Sequence, residues 1–164
     1  MAGALCVLLL GACSKSGSGS PSTPAAGTSA ATTASTGAPT AACGLLTKAQ
    51  VAKATGNSIA FSRQATAGPV SSCTFGSLSG FAVVLSVTSP PAAGLSSDIP
   101  GLGNLVTKYH LTPVSGIGDQ AYSGADAIVA RKGNTAFAIV YAAIGGGDHE
   151  QALKTMATDI VAHL

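Results

Sequence analysis

The stretch AIVARKGNTAFAIVYAAI, residues 127–144, decides the fold class. From Thr135 to Ile144, Phe137, Ile139 and Tyr141 alternate with Ala136, Ala138, Val140 and Ala142. A period of two is that of a β-strand, here with one bulky face and one small face. Ala127 to Lys132 reads as a second strand, and Gly133-Asn134 between them is the chemistry of a tight turn, so the pair forms a hairpin.

Working outward, Phe81, Val83, Leu85 and Val87 alternate with Ala82, Val84, Ser86 and Thr88, and Pro90-Pro91 stops that strand. Ile59–Thr66 and Ser71–Ser77 read as two more strands joined at Gly68-Pro69, and a further strand starts near Tyr122 after a turn at Pro113. Between these sets, Leu102, Leu105, Val106 and Tyr109 recur at helical spacing, although Pro100, Gly101 and Gly103 weaken the pattern. Beyond Gly145–Gly147 the sequence predicts a helix capped by Asp148, with Gln151 three residues on. Its apolar stripe is Ala152, Leu153, Met156, Ala157, Ile160, Val161 and Leu164. At the other end, Thr47-Lys-Ala-Gln50 is a capping box for a short helix that stops at Gly56-Asn57. The order predicts an α+β domain over residues 43–164. Its antiparallel sheet has about five to six strands, with the N- and C-terminal helices on the bulky face.

The segment before the domain is of a different kind. Residues 2–12, AGALCVLLLGA, are apolar but fewer than the roughly 20 needed to cross a bilayer as a helix, and they suit the hydrophobic region of a signal peptide. Leu10-Gly11-Ala12-Cys13 resembles the bacterial lipobox, in which small residues precede a cysteine that is cleaved free and acylated. The resemblance implies a signal peptide at 1–12, lipidation at Cys13 with palmitate-type chains, and anchoring to the membrane from the extracytoplasmic side. Met1 to Ala4 carries no Lys or Arg, a departure expected to reflect either a start further upstream or a late one. Ser14 to Ala42 is Ser, Thr, Ala, Gly and Pro with Lys15 as its one charge. Such a composition cannot offset its ordering entropy, and as a flexible tether of about 29 residues it spans on the order of 30 Å.

Of the four cysteines, Cys6 falls in the leader and Cys13 takes the lipid, so Cys43 and Cys73 are left for a disulfide in an oxidising compartment. A metal or redox pair is the rival reading, but neither adjacent His nor C-x-x-C spacing supports it.

The run Cys43-Gly-Leu-Leu-Thr-Lys-Ala-Gln-Val51, then Gly56, Ser72-Cys73-Thr-Phe75 and Gly116-Ile-Gly-Asp-Gln-Ala-Tyr122, resembles a family of actinobacterial lipoproteins whose domain has no known function. The resemblance covers roughly residues 42–164. It implies a cell-envelope location and the Cys43–Cys73 bridge, and supplies no catalytic residue. Gln50 stands where an acidic residue is common in that family.

Composition narrows the rest. The chain has 164 residues, 9% charged and 4% aromatic, with no Trp and a net charge of +2, and a mean hydropathy of +0.44. The eight Lys and Arg do not cluster, so nucleic acid is not an expected partner. Gly116-Ile117-Gly118-Asp119-Gln-Ala spells a dinucleotide-binding pattern, but a strand rather than a helix follows it, so a turn with Asp119 bonding local amides is expected. His110, His149 and His163 are far apart and read as solvated. There is no nucleophile elbow, and neither metal nor cofactor is implied. The small, weakly polar sheet face and the loop Gly116, Ile117, Gly118, Asp119 remain as candidate binding surfaces for an envelope protein or a small apolar ligand. The leading expectation is therefore a noncatalytic envelope lipoprotein. An enzyme acting on cell-wall or lipid substrates, with His110 and Asp119 as its pair, and a structural envelope component are the alternatives.

Overall fold

Two short helices open the domain. α1 spans Ala42–Leu45 and α2 spans Lys48–Thr55. Thr47 starts α2 as the sequence predicts: its hydroxyl accepts from Gln50 N (3.2 Å) while the Gln50 side chain accepts from Thr47 N (2.9 Å). Gly56, at φ 69°, ends the helix in the left-handed conformation that a residue without Cβ adopts freely. These features come from a computed structural model, which describes residues 40–78, 80–89, 102–143 and 147–164. The expected leader, Cys13, the tether up to Pro39 and the Pro90-Pro91 stop lie outside the described residues.

Seven strands follow: β1 (Phe61–Ala67), β2 (Val70–Gly76), β3 (Phe81–Thr88), β4 (Thr112–Val114), β5 (Gln120–Ser123), β6 (Ala127–Lys132) and β7 (Thr135–Ala143). They form one antiparallel sheet in the order β1-β2-β3-β7-β6-β5-β4. The chain is thus α+β, with one strand more than the upper expectation of six. The addition is β4, which the sequence presents as a turn because it contains Pro113. Proline has no N–H to give a ladder and is tolerated at a sheet edge, which is where β4 lies. The other edge, β1, is exposed along its whole length.

Helix α3 spans Leu102–Tyr109 and helix α4 spans Glu150–Ala162. The register places the bulky positions of β3, β7 and β6 side by side, Val83 opposite Tyr141, Leu85 opposite Ile139 and Ile139 opposite Ile128. They share one core cluster with Leu45, Leu46, Val51, Leu153, Met156, Ala157 and Ile160. The opposite, small-residue face of β6 and β7 is also buried. Ala127, Val129, Ala136 and Ala138 form a second cluster with Leu111, against which Leu105, Val106 and Tyr109 pack. This corrects the expectation of an open Ala-rich docking face in this half of the sheet. Alanines leave space for a helix to lie close, so the small face is a seat for α3 and not a bare surface.

Cys43 and Cys73 are joined by a disulfide, with Cα atoms 5.0 Å apart. It ties α1 to the middle of β2, and beside it the Ala42 amide donates to the buried Ser71 hydroxyl (3.0 Å). No helix among the described residues is long and apolar enough to cross a membrane.

Candidate functional site

The loop Gly116–Asp119, one of the two candidate binding surfaces, borders a concavity of about 320 Å³ lined by residues 113–122. Its side chains are already committed. Ile117 is buried in the main core. The Asp119 carboxylate accepts from the Gly133 amide (2.7 Å) and lies 3.7 Å from Lys132 Nζ, while Asp119 N donates to the Arg131 carbonyl (2.7 Å). Gly118 has φ 63°, and a Cβ there would strike the Arg131 carbonyl. The loop is therefore a clasp on the β6–β7 turn, in line with the local role read for Asp119. No hydrogen bond or ion pair among the described residues joins His110 to Asp119. His110 is exposed, with φ 50°, at the end of α3. The His110–Asp119 pair of the enzyme reading is not assembled.

A second concavity, of about 240 Å³, lies at one end of the sheet and is lined by Tyr109, Asp126, Tyr141, Ala142, Ala143 and His149. Backbone bonds converge there. Tyr141 N donates to Asp126 O (2.8 Å), His149 N donates to Ala125 O (2.9 Å) and Gly124 N donates to Ala127 O (2.9 Å). Tyr109 reaches the site because α3 ends directly over Gly124, where a Cβ would lie 2.5 Å from the Tyr109 carbonyl.

His149 corrects two expectations. It, not Asp148, is the residue preceding α4, and it makes no side-chain cap bond. Asp148 instead accepts from the Glu150 amide (3.0 Å). Nor is the His149 ring a solvated surface group. It stacks on Tyr141 with centroids 3.7 Å apart, and Tyr141 stacks in turn on Phe81 at 5.7 Å. On the ring's other contacts, Gly147 passes so close that a Cβ would lie 3.0 Å from His149. His149 Nε2 is buried and has no hydrogen-bond partner among the described residues. His163, by contrast, is exposed, with Nδ1 2.6 Å from the Asp159 carbonyl.

The electrostatics of the site are those of a neutral phenol beside a carboxylate. Burial raises the Tyr141 pKa above its ordinary value, and the neighbouring Asp126 charge raises it further. Tyr141 therefore stays protonated and can donate. At the foot of α4, the Lys154 ammonium (2.8 Å) holds the Glu150 carboxyl below its usual range. No cluster of three His, Cys, Asp or Glu able to hold a metal occurs among the described residues.

Sequence reading missed this site because its members come from α3, the β5–β6 loop, β7 and the start of α4. The available signal was His149 close behind Gly147, whose missing Cβ lets the chain pass close to the ring.

The family model described as protein of unknown function (DUF3558) matches residues 8–138. No curated protein and no solved structure matches the chain. Since the matched stretch takes in well over half of the sequence, the chain belongs to the DUF3558 family of proteins of unknown function.

Proposed function

We propose that this chain is a noncatalytic extracytoplasmic lipoprotein, anchored to the cell membrane through Cys13, whose domain binds a small ligand at the Tyr109–Asp126–Tyr141–His149 concavity. The address rests on the leader, the lipobox-like Leu10–Cys13 and the tether. It belongs with the actinobacterial lipoprotein resemblance and its Cys-x-Leu-Leu-Thr opening. The disulfide supports it, because such bonds persist in oxidising compartments.

The observation that carries the ligand reading is a concavity lined by the Asp126 carboxylate, two phenols and the His149 ring. A concave site with a few convergent polar groups is where a ligand finds its partners.

Two measurements test the proposal. Mass spectrometry of the mature protein should find a diacylated Cys13 as the first residue, and Cys13→Ala should move the protein out of the membrane fraction. Native mass spectrometry of the full chain released from envelopes in mild detergent should show a small-molecule adduct that His149→Ala loses. An unmodified Cys13 behind an intact leader would remove the address, and a bare mass in both forms would remove the ligand.

A further inference from the structure

Resting on the ligand reading above, we infer that the Tyr109–Asp126–Tyr141–His149 concavity recognises a small primary amine, its ammonium group paired with the Asp126 carboxylate.

Charge balance within the site is one-sided. Among the described residues, Asp126 is the only charged one that lines the concavity, and no Lys or Arg does. Its backbone carbonyl accepts from Tyr141 N, and its carboxylate has no hydrogen bond to another described residue. Lys108 is nearby, but its ammonium sits over the Tyr109 ring, 5.0 Å from the centroid, and it is exposed and therefore screened. Around His149 the next charges are the carboxylates Asp148 and Glu150, the latter already paired with Lys154. An anionic ligand would meet a carboxylate with no counter-charge. A cation meets its partner.

The open hydrogen-bonding atoms point the same way. A carboxylate accepts only, and a phenol oxygen can accept as well. A primary ammonium has three donors, which matches the carboxylate and the two phenol oxygens of the lining together. Charge-assisted bonds of this kind are the strong ones. Size fits the same class: 240 Å³ is about eight water volumes, enough for a short amine.

The chain has no Trp, and two of its three tyrosines line the site, so tyrosine emission reports binding directly. The full chain would be titrated with ethanolamine, ethylene glycol and glycolate, which present a cation, a neutral group and an anion on similar frames. Ethanolamine should give a saturable change at least about tenfold tighter than the other two. Asp126→Asn should erase that preference, Asp119→Asn outside the site should keep it, and Ala142→Lys should block binding by placing a tethered ammonium there. Ala142 is exposed, so that variant keeps the test open if Asp126→Asn fails to fold. Saturable binding of all three probes with equal affinity would overturn the amine assignment and leave the ligand site standing. No saturable change with any probe would overturn both.

Discussion

Replacing Cys43 and Cys73 together with alanine cuts the bond that holds α1 on β2. The bridge closes a loop with a sequence separation of 30. In the chain-entropy treatment, a loop of that length restricts the unfolded chain by about 12 cal/mol/K, or about 3.5 kcal/mol at room temperature. A domain of about 120 residues has an unfolding entropy near 0.25 kcal/mol/K at its midpoint, so the thermal midpoint should fall by about 14 °C. The alanine pair also removes a sulfur at Cys73, which is completely buried, adding up to about 1 kcal/mol of cavity cost. Wild-type protein reduced in denaturant and refolded under reductant keeps both sulfurs and isolates the cross-link. Calorimetry of the three samples should put the reduced wild type slightly above the double variant and both far below the oxidised protein. The folded states should have the same far-UV spectrum, since the Ala42–Ser71 hydrogen bond and the Leu45 and Leu46 contacts still seat α1. A shift of less than about 4 °C in the reduced wild type would mean that the unfolded chain is already constrained without the bond, and the loop argument would be wrong.

Ala136→Leu should cost about 1–3 kcal/mol in a denaturant melt, because Ala136 is completely buried among the residues beneath α3 and the added carbons have nowhere to go. Gly118→Ala should lose about 2 kcal/mol, through its positive φ and the collision with the Arg131 carbonyl; an unchanged midpoint would show that the clasp relaxes freely. The low carboxyl pKa of Glu150 contributes stability that is present above its ordinary value of 4.5 and is lost as pH falls through the lower folded value. Glu150→Gln should accordingly flatten the acid limb of a pH–stability curve. Tyr141 has the opposite sign. Its raised pKa contributes stability that is fully present below pH 10.0 and fades as pH rises through the folded value. In a phenolate absorbance titration Tyr141→Phe should remove a step that lies above the ordinary phenol value.

Much of the local structure was legible. The Thr47–Gln50 box, the alternation in β3 and β7, the Gly133-Asn134 turn and the stripe Leu153, Met156, Ala157, Ile160 are patterns within a dozen residues, and each element stands close to where its pattern lies. The β4 strand was not legible, because Pro113 carries the same signal in a turn and on a sheet edge. Leu164 belongs to the apolar stripe by spacing, yet it lies past the end of α4 and is exposed. The candidate loop was legible as a turn, but Asp119 has no way to announce in sequence that its carboxylate will accept from the Gly133 amide.

From the residues alone came the proposal of an extracytoplasmic address, the composition that argues against a nucleic-acid footprint, the α+β class and the strand faces, all of which depend on near neighbours or on totals. Which strand lies in the middle, which alanines sit under α3 and which polar groups meet around His149 depend on contacts between residues tens of positions apart. Cys43 could be paired with Cys73 by elimination because so few partners existed. No such elimination brings Tyr109, Asp126, Tyr141 and His149 together, because each has many alternatives until the β3–β7 pairing closes the sheet and carries the end of β7 to the start of α4.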